Sequence, residues 1–243
     1  MKLQIGLTTV FVSLLSCLLG AVSQAAPDDL GRVVDVHQSA YHTPLFSNEI
    51  VSVLEVNFPP GRESDFHHHR FDSLNVYLVD YPANASGQTY GGPITVIREG
   101  KPLPKRGEVS FNEFSSKPII NRGVNRGTTP MRLIETHFTG NRVFGYTPAD
   151  REDPAYVKLL DNARAKVWRV TLQPGESVGA VTQKAPGMRI VIQGGEISES
   201  YPGMADRGMW LDDTKVYWQE QGVVRTLKNI GTSTVMLVEV EFK

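Results

Sequence analysis

Leu54-Glu55-Val56-Asn57-Phe58-Pro59-Pro60-Gly61 and Trp168-Arg169-Val170-Thr171-Leu172-Gln173-Pro174-Gly175 are the two stretches on which the fold turns. In each, apolar and polar side chains alternate, the period of a strand with one buried face, and each ends in a Pro-Gly turn. A second pair lies downstream. Asn125-Arg126-Gly127-Thr128-Thr129-Pro130-Met131-Arg132-Leu133-Ile134-Glu135 lies over Asn229-Ile230-Gly231-Thr232-Ser233-Thr234-Val235-Met236-Leu237-Val238-Glu239. Here an Asn-x-Gly turn feeds an apolar strand in both copies. Gly61 and Gly175 stand 114 residues apart, Asn125 and Asn229 stand 104 apart, so the chain is a duplication. Its first copy carries about ten extra residues, which the Pro/Gly-rich stretch from Tyr81 to Pro104 accommodates as an insertion.

Between these landmarks the sequence predicts short strands at Asn75–Val79, Ile94–Arg98, Val109–Phe111, Met188–Ile192 and Val216–Trp218. Pro154–Lys166 alone has helical spacing, with Tyr156, Leu159, Leu160 and Ala163 on one face, and is expected to join the copies as a short helical linker. Many short strands with turn residues between them indicate barrels or sandwiches, here an all-β chain with two of them in tandem. The 25 Lys+Arg against 26 Asp+Glu, dispersed along 243 residues, exclude a chain built mainly to grip nucleic acid. One cysteine excludes a disulfide framework and a cysteine-based zinc site.

The N-terminus reads separately. Lys2 precedes an apolar run from Ile5 to Val22, followed by small Ser23, Ala25 and Ala26. That order describes a signal peptide over residues 1–25, an exported (periplasmic or secreted) protein, and no membrane attachment after cleavage. Lipid attachment at Cys17 fits less well, because Leu18-Leu19 continue the apolar run. Residues 26–47 then form an N-terminal extension.

Taken together, the residues resemble the cupin superfamily. In that family's first motif a Gly is followed by five residues, His-x-His and, three or four residues on, a Glu. Here Gly61 is followed by five residues and then His67-His68-His69, and Asn125 takes the Asn position that closes the second motif. Pro174, Gly175, Asn229 and Gly231 keep the frame in the second copy. The resemblance implies two jelly-roll-type barrels, residues 48–140 and 164–243, joined by a linker at 141–163. It also marks departures. The Glu position falls on Ser73 or Leu74, and the second-motif His position on Asn121. In the second copy the three His positions fall on Val181, Gln183 and Arg225, so its metal site is expected to be lost.

Alternation puts His67 and His69 on the inner face of a strand, about 7 Å apart, and His68 outside. His67 and His69, with Asn121 by motif position, are the expected ligands of one divalent metal ion, of which Fe, Mn, Zn and Ni all suit imidazole. Asp72 and His137 are the other candidates for a third ligand. His37 and His42 are expected to be surface or hydrogen-bonded. Tyr77 and Asp72 are the candidates for proton transfer, and Asn75, Arg189 and Arg225 for lining a ligand pocket, the arginines through bidentate contacts to an anion. The alternative for each arginine is pairing with an acid such as Glu220 or Glu239. The family likeness implies a metal-dependent enzyme of oxygenase, isomerase or lyase type acting on a small oxygenated organic molecule. The competing readings are a metal-free binder of a sugar or organic acid, and an interaction protein that uses the 81–104 stretch. The partner is expected to be a small molecule, not nucleic acid, and a homo-oligomer is compatible with the composition.

Overall fold

In the computed structural model the described residues are 31–96, 102–140 and 150–243; the expected signal peptide lies outside them. The first half contains β1 (Val33–Asp35), β2 (His42–Ser47), β3 (Ser52–Phe58), β4 (Phe66–His69) and β5 (Ser73–Tyr77). It continues with β6 (Ala85–Thr89), β7 (Ile94–Val96), β8 (Val109–Asn112), β9 (Ile119–Asn125) and β10 (Met131–His137). The second half contains β11 (Tyr156–Asp161), β12 (Ala165–Leu172), β13 (Ser177–Thr182), β14 (Gly187–Gln193) and β15 (Gly195–Ser200). It ends with β16 (Arg207–Leu211), β17 (Val216–Gln219), β18 (Val224–Asn229) and β19 (Val235–Phe242).

The sheet orders repeat. β2-β3-β10-β5-β8 in the first half answers β11-β12-β19-β14-β17 in the second, and β4-β9-β6-β7 answers β13-β18-β15-β16. The extra strand is β1, which runs parallel to β4 with Val34 opposite His67. The turns repeat down to single hydrogen bonds. Gly61 and Gly175 both have positive φ, +71° and +83°, which glycine adopts without the cost of a Cβ. Their amides donate to the carbonyls of Asn125 and Asn229 at 2.8 and 2.9 Å. Asn125 Nδ2 donates to the Phe58 and Thr129 carbonyls, and Asn229 Nδ2 to those of Leu172 and Ser233. Two barrels of one design follow from this.

The central strands are apolar on both faces, and the reason is that each barrel leans on the other. Inward residues such as Val56, Phe58 and Leu133 fill the first barrel, while Trp168, Val170 and Leu237 fill the second. The outward residues Val53, Val76 and Ile134 meet Val167, Ile190 and Val238 in a third, shared core. Arg106 reaches across and donates to the Ile192 carbonyl.

Two expectations need correction. Pro154–Lys166 is not a helix: β11 pairs with β12, and Asn162 Oδ1 accepts from the amides of Arg164 and Ala165 to turn the chain. A register shift between Lys158 and Leu160 breaks the strand alternation, which is how Leu159 and Leu160 came to mimic helical spacing. Nor is the 81–104 stretch a single insertion. Ala85–Thr89 pairs with β9 and Ile94–Val96 with β6, the counterparts of β15 and β16. Part of the extra length sits between β5 and β6. Residues 97–101 lie outside the described ones.

Candidate metal centre

Strand β10 builds the site by parity. Met131, Leu133, Glu135 and His137 share one face; Met131 and Leu133 join the first barrel's inner core, and the alternate residue Ile134 joins the shared core. Thr136, also on the alternate face, donates to Met188 Sδ at 3.8 Å. Glu135 and His137 therefore point into the first barrel, where β4 brings His69 to meet them. One donor atom from each of His69, Glu135 and His137 lies within 4.8 Å of the other two, and all three side chains are buried. Among the described residues this is the one convergent group of three or more His, Cys, Asp or Glu side chains.

The electrostatics leave this group short of a cation. Burial disfavours an ionised Glu135, but His137, His69 and His42 around it outweigh that and hold its carboxyl far below the usual range. Meanwhile burial pushes the imidazoles of His37, His42 and His69 toward the neutral form, and lowers His67 to about 3. His137 Nε2 lies 3.1 Å from Glu135 Oε1 but is not aligned as a hydrogen bond, and His69 Nδ1 is 3.8 Å away. His69 Nδ1 and both nitrogens of His137 are buried without a hydrogen-bond partner. Two imidazoles and a carboxylate with unused lone pairs fit a divalent transition metal, since that donor set recurs in zinc and non-haem iron sites.

The histidines extend beyond the triad. His67 is buried beside His69, ring centroids 4.8 Å apart, and its Nδ1 donates to the Asp65 carbonyl at 2.9 Å. His42 packs on His67, and His37 lies 6.0 Å from His137 with its Nε2 hydrogen-bonded to Ser52 Oγ. Five of the six histidines thus gather in one barrel, and His68 alone faces away from that cluster. Asn121 sits opposite His67 in the β4–β9 register and hydrogen-bonds His69. Asn75 is register partner to Glu135, with a buried, unpartnered Oδ1.

The two proton-transfer candidates stand elsewhere. Asp72 Oδ1 accepts from the amide and hydroxyl of Ser115, so its charge is used to fasten a surface turn. Tyr77 points into the apolar end of the barrel and hydrogen-bonds Ser110 Oγ at 2.9 Å. Arg189 and Arg225 are both buried in the second barrel on one oxygen of Glu239, at 2.9 and 3.1 Å, and Arg225 also lines a cleft of about 230 Å³ beside Tyr201 and Thr226. Glu135 is the member of the triad that the motif pattern hides. Its carboxylate comes from β10, one strand across from the family's Glu position on β5. The signal was present in the duplication: Glu135 shares parity with Leu133 and His137, and Glu239 repeats it.

A cleft of about 370 Å³ opens onto His69 and His137, rimmed by His37, Gln38, Arg70 and Phe71. Phe114 covers the outer side of the His69 ring, centroids 4.7 Å apart.

No protein-family model matches the sequence, and no curated protein does. Solved structures do match. AerE from Microcystis aeruginosa superposes with a TM-score of 0.55 at 11% identity, over 83% of this chain and 97% of that one. Ylba from E. coli gives 0.56 at 9%, over 89% and 88%. Salicylate 1,2-dioxygenase from Pseudaminobacter salicylatoxidans gives 0.53 at 10%, over 82% and 75%, and a variant of that enzyme was solved in complex with gentisate. At these identities the likeness is one of fold. The class is the double β-barrel, and the particular fold is that of the cupins, present here as a tandem pair.

Proposed function

We propose that the protein is a metal-dependent cupin that binds and transforms a small oxygenated organic molecule in its first barrel. The observation that carries this reading is the buried convergence of His69, Glu135 and His137 under an open cleft. These three residues would hold one divalent ion, which supplies Lewis acidity or activates water or dioxygen when bound. Asn121 orients the His69 ring, and Phe114 shields it from water on one side. His67, pinned by the Asp65 carbonyl, packs beside the His69 ring inside the barrel. Arg70 at the rim lies 4.0 Å from Asp35 on the same rim and could exchange that partner for a substrate carboxylate, while Phe71 offers an apolar face. The fold likeness to a salicylate dioxygenase supports small hydroxylated acids as the first compounds to try.

Metal analysis of protein reconstituted separately with Fe(II), Mn(II), Zn(II) and Ni(II) tests this. One ion per chain is expected in the parent and in His68→Ala, and none in His69→Ala/His137→Ala. A parent that takes up no metal would move the reading to a metal-free binder. Residues 1–25 support export as part of the same proposal, and sequencing the mature N-terminus should find it near Ala26.

A further inference from the structure

The second barrel keeps the positions of the triad but only one of its residues, the glutamate. The register equates His67 opposite Asn121 with Val181 opposite Arg225, and Glu135 opposite Asn75 with Glu239 opposite Arg189. By the same alignment Gln183 stands for His69, Glu239 for Glu135 and Glu241 for His137. All three touch one group, the guanidinium of Arg151. Its Nη1 donates to Glu239 Oε2, and its Nη2 reaches Glu241 Oε1 at 3.2 Å and Gln183 Oε1 at 3.4 Å. Its Cζ lies over the rings of Trp168 and Tyr156, 4.2 and 4.7 Å from their centroids. The Arg151 side chain is 4% exposed, though it enters from the segment that precedes the barrel.

We propose that the second barrel retains a cation site, built for a planar guanidinium and filled in cis by Arg151 at the place where the first barrel presents its triad. The carboxylate of Glu239 is ionised, held far below its usual range by Arg225, Arg151 and Arg189 against the cost of burial. Burial pushes Glu241 up to about 7, and its Oε1 accepts from Arg151 in either protonation state. A metal ion is a poor substitute here. Arg189 and Arg225 already lie on Glu239, the amide of Gln183 is a weak neutral ligand, and two aromatic faces favour a flat delocalised cation over a point charge. This assignment concerns the second barrel and stands whether or not the first one binds metal.

Chemical rescue tests it. Arg151→Ala should lower the Tm of the full chain by about 10 °C, since a buried charge partner is lost. N-methylguanidinium at about 10 mM should restore at least half of that loss in the variant, because a ligand that binds only the folded state raises its stability. The same concentration should leave the parent unchanged, and equal KCl or a divalent metal should not rescue. Should Arg151→Ala fail to fold, Arg151→Gln fills the site with a neutral planar group. It is expected to fold with a lower Tm than the parent and to show no rescue. An Arg151→Gln protein as stable as the parent, or a folded Arg151→Ala protein indifferent to N-methylguanidinium, would overturn the assignment.

Discussion

Glu135 and Glu239 are the same residue met twice, and their surroundings separate the two barrels. A buried carboxylate needs a cation or a proton, and Glu239 has three guanidiniums. Its depressed pKa has a definite consequence for stability. The unfolded carboxyl takes up a proton near pH 4.5 and the folded one only well below, so Glu239 contributes fully above pH 4.5 and loses that contribution as pH falls further. Glu239→Gln is therefore expected to cost about 3–5 kcal/mol at pH 7, because it leaves buried arginines uncompensated, and to flatten the acid limb of the stability curve. Urea melts of the two proteins between pH 7 and pH 3 measure both. In the first barrel, Asn121 supports a ligand without being one, on the proposed reading. Asn121→Ala should then weaken metal binding about 10–100-fold, read by competition with a coloured chelator, while one ion per chain still binds at saturation. Of the triad, His69 was legible from its spacing behind Gly61 and His137 as an alternative third ligand, whereas His67 and Asn121, the other expected ligands, stand beside the group and not in it. Glu135 was not legible, because a lone Glu in a strand otherwise apolar reads as a duplicated landmark until the sheet shows where its face points.

Strands and turns were the most legible level, and for a physical reason. Period-2 alternation and Pro-Gly or Asn-x-Gly turns are local signals, so β3, β12 and the clamps around Asn125 and Asn229 could be read from a few residues each. The segment at 154–166 went the other way because its apolar residues straddle a bulge. The matched clamps carry an expectation of their own. Gly61→Ala and Gly175→Ala should each cost about 1–2 kcal/mol, since both glycines have left-handed φ and open space around the missing Cβ, which makes the backbone the whole of the penalty. Equilibrium unfolding should give the two variants the same loss within error; a large difference would mean that the turns are not equivalent in energy.

At the scale of the molecule the shared core is what ties the halves together. Ile190, Val238 and Ile134 are fully buried there, and no sequence pattern could assign them, since each lies on the face of its strand that a lone barrel would give to water. Exposing that face would cost each half several large side chains at about 1.5–3 kcal/mol apiece, so the barrels should unfold in one transition. Two resolved peaks in scanning calorimetry would contradict this. The same architecture sets two kinds of counterion side by side. Arg151 is leashed to its barrel, so dilution or dialysis cannot lower its local concentration. An ion held by His69, Glu135 and His137 would be on loan from solution. A chelator should therefore quicken amide exchange more along 66–69 and 131–137, which lose a local clamp, than along 187–193 and 235–242, which feel the supply of metal only through the stability of the whole.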